Sequence, residues 1–137
     1  DNSLQYPSAG LLSTAEDLAR FADAVFNSSF LDARTRPFAT TPARLANGEP
    51  VAWRDHSGPQ TYTFGWGAGH DGSGGIAYFG HGGETNGAYA LVRHYPKARL
   101  SIAAIANYNM VGDTAFFDTV GEKLPALFAP DLARPAQ

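Results

Sequence analysis

The sequence predicts an α+β fold: an antiparallel β-meander flanked by an N-terminal and a C-terminal helix. Three observations carry this. An amphipathic stretch begins near residue 14. Apolar and β-branched segments separated by turn residues fill positions 61–107. A second amphipathic stretch follows Asp113. Helices segregated to the ends of a run of strands pack on one antiparallel sheet. At 137 residues the chain is expected to be a single unit, residues 1-137.

The first helix is expected over 14-27. Ser13-Thr14-Ala15-Glu16 reads as a capping box, in which the Ser13 hydroxyl and the Glu16 side chain satisfy orphan amides. Leu18, Phe21, Ala22, Val25 and Phe26 then recur at helical spacing. Residues 28-60 read as a loop-rich excursion, broken by Pro37, Pro42, Pro50 and Pro59, with room for one short helix after Asp32.

Antiparallel strands are expected over 61-107. Tyr62 to Trp66 is aromatic and β-branched, and Ile76 to Gly80, Ala88 to Tyr95 and Arg99 to Asn107 follow. The glycine-rich stretch Gly67 to Gly75 reads as a flexible loop. Asn86-Gly87 reads as a hairpin turn, because both residues tolerate positive φ. Arg99 to Asn107 is almost continuously apolar, which predicts a central strand covered on both faces. The closing helix is expected over 113-128, capped by Asp113, with Phe116, Val120, Leu124 and Leu127 on one face. Pro125 bends or ends it, and the tail from Pro130 is expected to fray.

Composition excludes several functions. Hydrophobic residues make up 44% and aromatics 12%, enough to fill a core and too many for a disordered chain. Ten basic residues stand against 13 acidic ones, a net charge of −3 without a basic stripe, so no nucleic-acid partner is expected. The longest apolar run, Leu100 to Ala106 around Ser101, is too short to span a bilayer, so no membrane partner is expected. Zero cysteines exclude disulfides and thiol nucleophiles.

No cofactor and no metal are expected. Gly67-Ala68-Gly69-His70-Asp71-Gly72 spells G-x-G-x-x-G, but a strand follows where pyrophosphate binding needs a helix N-terminus. His56, His70, His81 and His94 show no i,i+4 pair suited to zinc. His56 and His70 are expected in loops and His94 on the surface. Asn27-Ser28-Ser29 fits a glycosylation triplet and reads more simply as a helix end. His81-Gly82-Gly83 ends a strand just before the tight turn. It is either a bend at a sheet edge or a place where a ligand approaches backbone beside an imidazole.

Several stretches, taken in order, resemble one family. Tyr6-Pro7-Ser8-Ala9-Gly10-Leu11-Leu12-Ser13-Thr14-Ala15-Glu16-Asp17-Leu18-Ala19-Arg20-Phe21 resembles the segment Y-P-x-G-G-L-x-S-T-x-x-D-L-A-x-F of serine β-lactamase-like proteins. Phe64-Gly65-Trp66-Gly67 resembles their Y-G-x-G-W block. Gly80-His81-Gly82-Gly83 with Gly87 resembles G-H-[ST]-G-G-x-x-G. Tyr95-Pro96 and Ile102 to Asn107 resemble the strand pair that follows. The likeness covers roughly residues 6–128, and Ala9 stands where glycine is usual. The group includes class C β-lactamases, penicillin-binding DD-peptidases and esterases.

The resemblance implies part of a β-lactamase/transpeptidase-like αβα sandwich and a serine acyl-enzyme mechanism on a small amide or ester substrate. His81 would bind substrate or assist a catalytic tyrosine. Gly82 belongs to the same site motif, Gly83 would leave room for substrate beside the strand, and the backbone N–H of Glu84 would be an oxyanion-hole donor. The two other motifs of the family are not found here. No serine has a lysine three positions later, and no tyrosine has an asparagine two positions later. Together with the opening Asp1-Asn2-Ser3, this reads as the C-terminal portion of a larger domain. Its missing N-terminal part is the expected partner, and the chain alone is expected to be inactive. The rival reading is a non-catalytic interaction module that keeps the fold. Self-association is expected through Arg99 to Asn107, and the cysteine-free composition leans towards a periplasmic or secreted bacterial protein.

Overall fold

The computed structural model describes residues 9–55, 58–85, 87–108 and 115–133. It is α+β, as the sequence predicts. Six strands form one antiparallel sheet in chain order: β1 (Ala52–Asp55), β2 (Gly58–Tyr62), β3 (Gly67–His70), β4 (Ile76–Thr85), β5 (Ala88–Tyr95) and β6 (Leu100–Ala106). Helix α1 (Ala15–Asn27) packs on one face. The C-terminal helical segment packs on the other, completing an αβα sandwich. Among the described residues no helix is long and apolar enough to cross a membrane.

Helix α1 starts one residue later than its expected cap. Thr14, not Ser13, is the N-cap, and its Oγ1 accepts the Asp17 N–H at 3.0 Å. Glu16 therefore falls outside a capping box and pairs instead with Arg20 one turn on, at 2.6 Å in the open, where such a pair contributes little. Ala22 and Val25 are buried against Trp66, Ala68, Phe79 and Val92 of the sheet, with Phe26 packed beside them.

Residues 28-60 are more ordered than a loop. Asp32 Oδ1 accepts the N–H groups of Arg34 (3.0 Å) and Thr35 (2.7 Å), and these bonds hold its carboxyl below the usual carboxylate range. Helix α2 (Arg36–Thr40) follows with Pro37 in its first turn, where a missing N–H costs no helical bond. The Arg36 guanidinium donates to the carbonyls of Phe26 (3.2 Å), Leu31 (3.2 Å) and Ser28, so α2 is fastened to the C-terminal end of α1. The β1–β2 hairpin then occupies residues expected to be irregular, with Trp53 opposite Gln60. Pro59 is tolerated because β2 pairs with β3 only through Thr61 and Tyr62, so nothing on that side calls for its N–H.

Of the expected strand Tyr62 to Trp66, only Tyr62 lies in a strand, as the last residue of β2, and residues 63–66 form a turn. The Thr63 N–H and hydroxyl both donate to the Trp66 carbonyl, at 2.8 and 3.1 Å, and Gly65 has φ +91°. The strand comes next, at Gly67–His70, within the stretch read as a flexible loop. Its glycines serve packing, not flexibility: a Cβ on Gly69 would stand 2.3 Å from the Tyr78 ring. His70 therefore lies on a strand, its ring joined to Thr61 Oγ1 (2.9 Å) and the Gly74 carbonyl (3.2 Å). The Asp71–Gly75 turn that follows is tied down by Asp71 bonds to Ser73, Gly75 and Lys97. These bonds hold the Asp71 carboxyl well below the usual carboxylate range, the Ser73 hydroxyl most of all.

β4 runs to Thr85, five residues beyond its expected end. Gly87 carries φ +85° in the turn to β5, as expected there; Asn86 lies outside the described residues. The strand covered on both faces is β5, whose Tyr89, Leu91, Val92, Arg93, His94 and Tyr95 are all buried. β6, expected to be central, is the outermost strand and is only half-buried. Its apolar run reflects helices packed over its two faces, α1 on one and the C-terminal segment on the other.

The closing segment is three pieces in one rod: α3 (Ala115–Asp118), a π-turn at Thr119–Lys123, and α4 (Leu124–Phe128). Its expected cap, Asp113, lies outside the described residues. Phe117 and Val120 are buried and Phe116 and Leu124 half-buried, whereas Leu127 is exposed. The π-turn rotates the helix beyond it, so a face extrapolated at 3.6 residues per turn misses Leu127. Pro125 lacks the N–H that would bond the Gly121 carbonyl in an α-helix. Two other donors take its place, Arg93 Nη1 at 2.5 Å and the Tyr95 hydroxyl at 2.8 Å. This helix break is thereby stapled to β5, and burial pushes the Tyr95 phenol above its ordinary pKa.

Candidate active site

The sequence-derived site residues lie together on β4. The register pairs His81 with Val92, Gly82 with Leu91, Gly83 with Ala90 and Glu84 with Tyr89. On its other side β4 meets β3 only from Ile76 to Gly80; the last pair is Gly67 with Gly80. From His81 to Thr85 this flank of β4 has no strand beside it among the described residues. In an antiparallel ladder every second residue turns its N–H and C=O away from its partner strand. The outward groups of this five-residue stretch thus form an open hydrogen-bonding edge. The expected edge strand is therefore an inner strand with one open half.

The two glycines of the motif differ in their surroundings. A Cβ on Gly82 would meet Phe117 at 3.0 Å and Leu91 at 3.2 Å, so this position packs beneath α3. A Cβ on Gly83 would meet nothing within 4 Å. His81, Gly83 and Glu84 are exposed.

His81 lies beside two aromatic residues that sequence reasoning passed over. Its ring centroid is 6.1 Å from that of Trp53 and 6.3 Å from that of Tyr62, and these two rings are 4.8 Å apart at 38°. The β1–β2 hairpin brings them there, and the proline-rich segment containing Trp53 concealed that hairpin. Alternation of Trp53 with neighbouring small and charged residues was the available signal.

The other histidines stand apart from this site. His94, expected at the surface, is 1% exposed: its ring stacks on Phe26 at 4.8 Å, and Nδ1 lies 2.9 Å from Ser101 Oγ. It belongs to the face of β5 that α1 covers. His56 lies outside the described residues, as do Tyr6 to Ser8 of the first resembling block. Among the described residues no group of three histidine, aspartate or glutamate side chains could hold a metal ion.

The site is an open strand edge flanked by an imidazole, a glycine facing free space and an aromatic pair. It can align an extended chain by backbone hydrogen bonds and place it beside an acid–base group.

A family model described as Beta-lactamase matches residues 1–119. No curated protein matches the chain. Among solved structures, a D-stereospecific amidohydrolase from Streptomyces sp. is similar with a TM-score of 0.55 at 21% sequence identity. The match covers 79% of this chain and 29% of that one, so this chain spans less than a third of that structure's length. At that identity the likeness is one of fold. The family match takes in the resembling blocks from Tyr6 to Asn107, and the sheet places the His81 motif on an open strand edge. This chain belongs to the Beta-lactamase family of serine hydrolase-like proteins.

Proposed function

We propose that this chain forms one wall of an acyl-transfer site, the substrate-aligning strand of a serine hydrolase that opens amides or esters through an acyl-enzyme. The observation that carries the reading is the open half of β4, where His81 stands at the point at which β3 stops and Gly83 faces free space. A substrate laid along this edge meets outward N–H and C=O groups as another strand would. The His81 imidazole polarises the reacting group or passes a proton, and the Glu84 N–H is one oxyanion donor. The nucleophile and its lysine belong to polypeptide outside these 137 residues, since no S-x-x-K occurs in them.

On this reading the chain alone does not hydrolyse nitrocefin or p-nitrophenyl esters above buffer, and the polypeptide carrying the upstream motifs does. A fluorophosphonate labels a serine in the latter only. Labelling of a serine within these 137 residues, with turnover abolished, overturns the assignment. The carboxylate of Glu84 beside the edge opposes anionic substrates, so neutral peptide-like amides or esters suit it better than penicillins. That an amidohydrolase shares the fold supports acyl transfer as the reaction class. Export to the periplasm or medium agrees with the cysteine-free sequence.

A second reading, a non-catalytic module, draws on the exposed Leu11, Leu12, Phe30, Phe38 and Phe64. Such apolar surface serves protein contact. We assign it to the N-terminal part of the same protein, which fits both readings.

A further inference from the structure

We propose that Trp53 and Tyr62 form the subsite that selects an apolar substrate side chain, aromatic or branched aliphatic, next to the scissile bond. The inference rests on the acyl-transfer reading and adds a specificity that nothing in the His81 motif itself supplies.

Adjacent strands lie about 4.8 Å apart. An extended substrate paired to His81–Thr85 therefore continues the line of β3 beyond Gly67, and that line has one closed end. At this end Gly67 pairs with both Gly80 and Tyr62, and Trp53 lies over Gly67, its Cδ1 3.3 Å from where a Cβ would stand. The aromatic pair is thus a stop at the end of the lane. A residue entering beside His81 has its side chain next to the two rings.

The pair is built to receive a side chain. The rings support each other at 4.8 Å, so their orientation is fixed before anything binds. Trp53 nevertheless remains 41% exposed, a large apolar area left uncovered at the mouth of the site. His81, 6.1 Å away, makes the pair a cluster of three rings. Aliphatic groups gain from area removed from water, and aromatic groups gain from ring–ring geometry as well. The hairpin that carries the pair is short, and its register, Trp53 opposite Gln60, sets which side chains face the lane.

Two measurements test this. The first uses the 137-residue chain, ¹⁵N-labelled, titrated with N-acetylphenylalaninamide or N-acetylglycinamide. The expected result is a saturable shift of the Trp53 indole N–H with the phenylalanine probe alone, weakened about three- to tenfold by Tyr62→Ala. Equal response to both probes, or a shift confined to the Trp66 indole, overturns the subsite. The second compares acetyl with phenylacetyl p-nitrophenyl esters in the polypeptide that carries the upstream motifs. Trp53→Ala is expected to lower kcat/KM for the phenylacetyl ester, through KM, about three- to tenfold more than for the acetyl ester. An equal loss on both overturns the subsite while the hydrolase reading stands. Absence of any esterase activity or fluorophosphonate labelling overturns the hydrolase reading, and the first titration then decides the subsite by itself.

Discussion

The His94 imidazole and the Ser101 hydroxyl are joined across the β5–β6 ladder, Nδ1 to Oγ at 2.9 Å, beneath the ring of Phe26. Burial lowers the His94 pKa from its ordinary value; Asp23 on α1 opposes the shift and Arg99 adds to it. The unfolded chain therefore binds this proton more readily than the folded chain. Stability from the neutral ring is fully present above about pH 6.5, the unfolded value, and is lost as pH falls towards the folded pKa. Urea midpoints should fall between pH 7.5 and pH 5, and His94→Gln should flatten that slope. An unchanged slope in the variant would assign the acid sensitivity elsewhere.

Gly121 should be among the least replaceable glycines. Its carbonyl takes the bonds from Arg93 and Tyr95, and a Cβ there would stand 2.6 Å from the Arg93 guanidinium. Arg93 is buried and its guanidinium lies 4.2 Å from the centre of the Tyr78 ring, so it has little freedom to retreat. Gly121→Ala is expected to cost about 1–3 kcal/mol, the usual range for overpacking. Thermal or urea unfolding checks this. A loss confined to a few tenths would mean that the arginine moves freely.

His81 and Gly83 should behave in the opposite way, affecting activity and leaving the fold intact. In the polypeptide with the upstream motifs, His81→Ala is expected to lower kcat/KM by about 10²- to 10⁴-fold, the range for a positioned acid–base group. Gly83→Ala should also impair turnover, because its Cβ would project into the space beside the open edge. Neither should shift the melting temperature appreciably, since both positions are exposed. Full activity in a normally folded His81→Ala variant would return the motif to a bend in the sheet.

These residues also mark how far the sequence could be read. The strand Ala88–Tyr95 was legible because its apolar and aromatic run follows directly on Gly87, a turn residue with φ +85°. Helix α1 was legible to within a residue, and only the cap shifted from Ser13 to Thr14, since both hydroxyls suit the role. The β1–β2 hairpin and β3 were illegible for opposite reasons. Prolines at the margins of the first resembled loop, and the glycines of β3 conceal packing against Tyr78 that only the folded sheet reveals. His81 was found because its motif is contiguous. Trp53 was not, because what places it beside His81 is a contact across the sheet, 28 residues away in the sequence.

Among the described residues β6 pairs with β5 alone, so its other side offers unmatched N–H and C=O groups along Leu100–Ala106. No proline or charge lies within those seven residues, and proteins that keep an edge strand soluble usually employ one or the other. Ile105 projects partly into solvent and Tyr108 just beyond the strand is exposed, so apolar area accompanies the free backbone groups. Two copies of such an edge can pair antiparallel about a two-fold axis, because one self-complementary strand closes with that symmetry. The isolated chain is therefore expected to be a dimer at micromolar concentration, and Ala103→Pro, which removes a donor and stiffens the strand, should return it to monomer. Ala103 packs towards α1, so Ile105→Lys, which places a charge on the exposed position, is the companion variant that leaves the core intact. Light scattering after size exclusion reads both. A monomeric parent chain with slowly exchanging amides from Leu100 to Ala106 would show that a segment of its own covers this edge.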